Sequence, residues 1–206
     1  LEDMKGRVDW FGVNYYSSHL VRHNAHKTAP TSKVATLADG HKAGANSPWP
    51  ADEQIEFMPP LGKLTAMGWN LDPNALHAHL LKIYRETGKP LYVTENGSAW
   101  DDVLEADGRV RDADRIEYFY GHLGAVANAI SEGADVRGYM AWSLMDNFEW
   151  AQGYAKRFGI VYVDYKTQVR TWKDSAYWYR ETLTRRALAP IEALESFVET
   201  PSRVYN

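Results

Sequence analysis

Glu95 stands in the segment Thr-Glu-Asn-Gly-Ser-Ala-Trp, at the end of a short apolar run, 90–94. An Asn-Gly pair turns a chain sharply, so a carboxylate just before it would be delivered to the mouth of a sheet. The same text also fits a surface Glu beside an ordinary turn. A second group lies in 140–150, where Asp146, Asn147, Glu149 and Trp150 fall within five residues and Trp142 comes just before them. Carboxylate, amide and indole together suit a sugar: hydroxyls need bidentate acceptors, and the C–H face of a pyranose packs on an aromatic ring. A core Trp followed by a polar loop would read alike. The third group is Asn14-Tyr15-Tyr16. A phenol beside a carboxylate can donate a hydrogen bond that holds its charge and orientation, while a pair of core aromatics is the competing reading.

Three strand-like runs would carry these groups at their C-terminal ends: 8–16, 90–94 and 136–144. Short, nearly continuous apolar runs fit parallel strands covered on both faces. Helical spacing follows each of them. Leu76, Leu80 and Ile83 mark 74–86, with Pro73 suited to its first turn and Gly88 to its C-terminal cap. Ile116, Phe119, Leu123, Val126 and Ile130 form one stripe of 113–132, with Asp112 placed to cap it and Gly133 to stop it. Tyr177, Trp178 and Leu183 mark 174–186. Strands alternating with helices predict βαβ units and a parallel sheet, and right-handed crossovers place the helices on one side of it.

The connections after strands are long (17–72, 95–112 and 144–174), and those after helices are short. That is the pattern of an α/β barrel whose site lies at the strand C-termini. Within the last connection, 158–163 and 168–172 predict a small hairpin across 164–167. We expect one domain over 1–186 and a loosely ordered tail over 187–206. Eight strands and about 250 residues are needed to close such a barrel, so three units would leave open strand edges and an uncovered face.

Composition narrows the function classes. The 206 residues carry a net charge of −4, which argues against a dedicated nucleic-acid binder. With no cysteine there is no disulfide framework, thiolate site or thiol nucleophile. The seven His show no third ligand at a recognisable spacing and no HExxH, so no metal is expected. GxGxxG, GxxxxGK[ST] and GxSxG are absent, and no cofactor is expected. No apolar run is long enough to span a bilayer, and the N-terminal stretch lacks a signal-peptide core. The expectation is a cytoplasmic protein that does not enter membranes. Leu1 is not an initiator, so the chain reads as a processed product or a piece of a longer one.

Taken together, Asp-Trp-Phe-Gly-Val-Asn-Tyr-Tyr, Thr-Ala-Met-Gly-Trp, Tyr-Val-Thr-Glu-Asn-Gly-Ser-Ala-Trp, the run 138–165 and Lys-Asp-Ser-Ala-Tyr-Trp-Tyr resemble the C-terminal part of a β-glucosidase of glycoside hydrolase family 1. Order and spacing are kept from residue 8 to about residue 185. The resemblance implies a partial (β/α)8 (TIM) barrel comprising the last three β/α units. It implies that Glu95 is the catalytic nucleophile and that Tyr16 hydrogen-bonds it. It further implies that Asn14, Trp142, Glu149, Trp150 and Phe158 bind the sugar: Trp142 as the platform, Glu149 and Trp150 on the hydroxyls far from the reacting carbon, and Phe158 lining that pocket. Members that act on 6-phosphorylated sugars typically lack an acidic residue at the place of Glu149, so an unphosphorylated β-glucoside or related oligosaccharide is the implied partner.

One departure stands out. The family's acid/base glutamate lies in an Asn-Glu-Pro segment, and no Asn-Glu-Pro occurs in this sequence. The chain therefore reads as the nucleophile half of a retaining β-glycosidase without the acid/base half. Completion would come from an N-terminal barrel half, in the parent chain or in trans, and self-association is the other expectation. The alternative is a catalytically inactive fragment, an assembly or folding unit with at most weak carbohydrate binding.

Overall fold

A computed structural model describes residues 6–24 and 54–198. Its centre is a three-stranded parallel sheet of β1 (Phe11–Asn14), β4 (Leu91–Asn96) and β5 (Val136–Ala141), with β4 in the middle. Phe11 pairs with Leu91, and Leu91 with Val136. Between β1 and β4 the chain adds a small antiparallel pair, β2 (Val21–His23) and β3 (Ile55–Phe57), and then α1 (Pro73–Thr87). The helix α2 (Ala113–Ser131) links β4 to β5. The hairpin β6 (Val161–Val163) and β7 (Arg170–Trp172) leads into α3 (Asp174–Arg185).

The three helices cover one face of the sheet. Val13, Leu91 and Val93 point to that side and pack against Leu76, Leu80 and Leu81 of α1 and Val126 and Ala129 of α2. Tyr139 touches this cluster and a second one, in which Ile116 and Phe119 of α2 meet Tyr177 and Trp178 of α3. The opposite face is uncovered among the described residues. Asn14 is exposed there, and Met140 keeps 51% of its surface in contact with solvent.

Local chemistry explains the helix ends. Asp72 accepts from the Ala75 amide at 3.0 Å, Pro73 occupies the first turn, and Gly88 closes α1 at φ 62°, a left-handed geometry that favours glycine. Asp112 is the N-cap residue of α2, as expected, but its side chain accepts nothing from the helix amides. Its carboxylate is taken instead by Arg115 and by the Ser175 amide and hydroxyl, at 2.8 and 2.6 Å, which joins the starts of α2 and α3.

Several expectations are corrected. The first strand is shorter than 8–16, since pairing with β4 begins only at Phe11. The third ends at Ala141, where the Trp142 amide turns onto the Asn96 carbonyl and the Trp142–Ser143 peptide is cis. The hairpin strands begin at Val161 and Arg170, because 158–160 hydrogen-bonds the loop after β5 instead. The antiparallel pair within 17–72 was not anticipated, and residues 25–53 of that connection lie outside the described residues. The tail is not loose through its first half: Ile191–Ser196 form a 3-10 helix, Ala189 and Phe197 are buried against α2 and α3, and the Trp178 indole donates to the Ala189 carbonyl at 3.0 Å. Residues 199–206 lie outside the described residues.

Candidate active site

Glu95 occupies the fifth position of β4, near its C-terminal end, as the strand's register places it beside Asn14 of β1. The Tyr15 amide donates to the Glu95 carbonyl at 2.9 Å, the last ladder bond of this pair of strands. One residue on, the Tyr16 hydroxyl donates to Glu95 Oε2 at 2.6 Å. Burial, then the Glu95 hydrogen bond and charge, hold the Tyr16 phenol well above the usual tyrosine range, so it remains a proton donor. Asn14 Oδ1 accepts from the Thr94 hydroxyl at 2.6 Å on the uncovered face.

The turn after β4 depends on close approach. A Cβ on Gly97 would lie 1.7 Å from the Trp142 carbonyl oxygen, so only glycine lets the two strand ends meet there. This contact brings Trp142 beside the mouth of β4. Trp142 and Tyr16 pack against a buried cluster of Met67, Trp69, Ala99 and Phe158. The Tyr16 ring lies 5.5 Å from Trp69 and 6.0 Å from Phe158, centre to centre.

Glu149 and Trp150 sit farther along the loop and differ in exposure. Glu149 is 9% exposed and Trp150 75%. The Glu149 carboxyl is raised, first by burial and then by the charge of Glu95. Trp150 opens the short 3-10 turn Trp150–Gln152 at φ 38°.

A buried ionic network holds this loop. Arg115 binds Asp102 through both terminal nitrogens, at 3.0 and 2.6 Å, and also binds Asp112. Lys173 bridges Asp102 at 2.6 Å and Asp146 at 2.8 Å. Arg157 completes the set on Asp146 at 2.5 Å, and the Gly159 and Val163 amides donate to the same carboxylate. Three cations and three carboxylates thus tie the loops after β4 and β5 to the hairpin and to the start of α3. Gly159 belongs to this junction: a Cβ there would meet the Asp146 amide nitrogen at 2.1 Å.

The structure therefore gathers Glu95, Tyr16, Asn14, Trp142, Phe158 and Glu149 around the C-terminal ends of the sheet, with Trp150 at the outer rim. No local pattern marks Trp69, Tyr118 or Lys173 for the site, and Asn96 is marked only as part of a turn. Their partners lie 22 to 102 residues away for Asn96 and Tyr118, so no local spacing announces them. Among the described residues no group of three or more His, Cys, Asp or Glu could hold a metal, and no helix is long and apolar enough to cross a membrane. A carboxylate held by a phenol beside an aromatic wall can act as a nucleophile or as an acceptor for hydroxyl groups.

Comparison with known proteins points the same way. The sequence model of glycosyl hydrolase family 1 matches residues 1–187. The chain is 48% identical over 178 residues to a bifunctional β-D-glucosidase/β-D-fucosidase of Bifidobacterium breve, covering 84% of this chain and 36% of that protein. It is 42% identical over 189 residues to β-glucosidase A of Thermotoga maritima, covering 91% and 37%. A 6-phospho-β-galactosidase of Staphylococcus epidermidis is 38% identical over 184 residues, covering 88% and 38%. Among solved structures, the Thermotoga maritima β-glucosidase in complex with glucoimidazole superposes with a TM-score of 0.74 at 42% identity, over 88% of this chain and 36% of that one. The chain spans a little over a third of the length of the curated relatives it matches.

Proposed function

The chain belongs to glycosyl hydrolase family 1, and on that premise we propose that it carries the nucleophile half of a retaining β-glycosidase acting on unphosphorylated β-glucosides. The observation that carries this reading is the 2.6 Å hydrogen bond from Tyr16 to Glu95 at the C-terminal end of the central strand. In the reaction, a free oxygen of Glu95 attacks the anomeric carbon while the bond to the aglycone oxygen breaks. The leaving oxygen takes a proton from a second carboxyl group, which then removes a proton from the water that releases the sugar. Retaining enzymes hold these two carboxyls about 5–5.5 Å apart.

The sequence has no Asn-Glu-Pro segment to supply the second group. We assign that role to an N-terminal barrel part, in the parent chain or in trans, with this chain as the last three β/α units of the barrel. Trp142 serves as the sugar platform, Phe158 lines the pocket, and Asn14, Glu149 and Trp150 take hydroxyls. The partly buried Glu149 carboxylate would repel a sugar phosphate and accept hydroxyl hydrogen bonds, which favours an unphosphorylated substrate although a 6-phospho-β-galactosidase is among the relatives.

A second reading is a catalytically inactive unit with at most weak carbohydrate binding, motivated by the lack of an Asn-Glu-Pro segment in this sequence. One experiment separates the two. The chain is incubated with a 2-deoxy-2-fluoro-β-glucoside bearing a dinitrophenyl leaving group, alone and with the N-terminal part of a family 1 relative, and examined by intact mass spectrometry. Stoichiometric labelling at Glu95 in the mixture, lost in Glu95→Gln, is expected. Labelling at another residue overturns the assignment of the nucleophile, and its absence in every mixture favours the inactive unit.

A further inference from the structure

The catalytic pair has an unusual problem of support. β1 ends at Asn14, and the Tyr15 amide makes its final ladder bond to the Glu95 carbonyl. Tyr16 lies past that point, yet its hydroxyl meets Glu95 at 2.6 Å. Resting on the reading of Glu95 and Tyr16 given above, we propose that Asn96 and Tyr118 form a buried clamp that sets this contact, and that Tyr118 of α2 is a positioning residue of the site.

The donors and acceptors of the clamp balance completely. Asn96 and Tyr118 are each 0% exposed. One Asn96 amide hydrogen goes to the Tyr15 carbonyl at 2.6 Å and the other to the Tyr118 hydroxyl oxygen at 2.9 Å. The Tyr118 hydroxyl in turn donates to the Tyr16 carbonyl at 3.0 Å. Asn96 Oδ1 accepts from the Tyr139 hydroxyl of β5 at 2.5 Å. Beyond the last ladder bond, then, the carbonyls of Tyr15 and Tyr16 are tied through one side-chain amide and one phenol to the residue that follows Glu95. A shift at either carbonyl would carry the Tyr16 ring away from Glu95.

The chemistry of Asn96 is specific. An aspartate there lacks the two hydrogens, and a leucine would take from the Tyr15 carbonyl and the Tyr139 hydroxyl the partner that Asn96 gives them, which is costly. Tyr118 touches neither substrate nor reacting atoms in this reading. Its ring stacks on His122 at 3.8 Å and meets Phe119 edge-on, so Tyr118→Phe keeps the packing and removes only the hydroxyl.

The test places 3-fluorotyrosine at position 16 of the 206-residue chain and follows its 19F resonance against pH. In the otherwise unaltered chain the phenol should ionise well above free 3-fluorotyrosine. In Tyr118→Phe the midpoint should fall by about one pH unit as the Glu95 contact loosens, since one such unit corresponds to a modest change in hydrogen bonding. Thr182→Val removes a buried acceptor of the Ala189 amide on α3 and serves as the control: it should lower thermal stability without moving the midpoint. A Tyr118→Phe chain whose midpoint stays with the parent overturns the clamp, as does a parent chain that ionises like the free amino acid. In the complemented enzyme, Tyr118→Phe should lower kcat ~10-fold with KM held within about twofold, and an unchanged kcat contradicts the proposal. Should the complemented parent hydrolyse nothing, the functional reading fails, while the 19F midpoints still decide the clamp.

Discussion

At the scale of single residues, Tyr16 is the side chain whose loss should be felt most sharply after Glu95 itself. Hydrogen bonds to charged groups contribute about 1.5–3 kcal/mol, and each 1.36 kcal/mol is tenfold in rate. Tyr16→Phe should therefore reduce kcat of the complemented enzyme by roughly 10- to 100-fold, with little change in KM. Steady-state kinetics on an aryl β-glucoside checks it, and a fall in KM affinity with kcat intact would place Tyr16 in binding alone. His122 offers a second case, in stability. It is fully buried, Nδ1 lies 2.7 Å from the Tyr118 carbonyl, and Nε2 has no partner among the described residues. Burial pushes the imidazole down to about 4, whereas in an unfolded chain it titrates near its ordinary value of about 6.5. Between those values the unfolded state binds the extra proton. The neutral imidazole's contribution is then complete above pH 6.5 and is lost as pH falls to about 4, ~3 kcal/mol in all. Urea unfolding at several pH values should show this loss, and His122→Phe should flatten the slope in that window. The place of Glu95 near a strand end was legible in sequence because a turn follows there, and its contact with Tyr16 through the resemblance of the text around both. Asn96 reads locally as half of a turn signal, and only the folded chain reveals it as the centre of a buried network.

At the scale of elements, the helices were the most legible, since 3.6-residue periodicity survives in any context. The ends of α1 follow from Pro73 and Gly88 alone. Asp112 takes the N-cap place its type suggests, but its side chain does more than that type announces: Arg115 and Ser175 take its carboxylate in place of the helix amides. The antiparallel pair of β2 and β3 is three residues on each side, too short to carry a period. The ionic network was likewise invisible, because Lys173 and Asp102 are 71 residues apart. It has a measurable consequence. Lys173 is fully buried, and Lys173→Met would leave Asp102 and Asp146 short of a cation. Breaking a buried pair in this way costs about 3–5 kcal/mol. Lys63, whose side chain is 40% exposed, pairs with Asp114 and Glu117, and Lys63→Met should cost about 1 kcal/mol or less. Denaturant midpoints for the two variants should differ widely, and equal midpoints would mean the buried network contributes no more than a surface pair.

At the scale of the whole molecule, what matters is the face the helices do not cover. Among the described residues, Met140 of β5 and Trp10, whose ring packs on Tyr92 of β4, are 51% and 50% exposed, and β1 and β5 each have one unpaired edge within the three-stranded sheet. Large apolar side chains left exposed on a sheet face mark an interaction surface, and open edges invite pairing with another chain. The strand–helix alternation already implied this, because three units cannot close a barrel; the extent of the uncovered face required the structure. We expect the isolated chain to self-associate through this face, with light scattering giving a mass above that of a monomer and rising with concentration. Adding the N-terminal part of a family 1 relative should compete for the same strands, convert the assembly to a one-to-one complex and bring hydrolysis of aryl β-glucosides with it. Met140→Glu should weaken both, since a carboxylate on the uncovered face carries its desolvation cost into either partner. The two effects share one surface, so they must move together: a variant that abolishes self-association while leaving complementation untouched would show that the chain meets itself and its barrel partner through different faces.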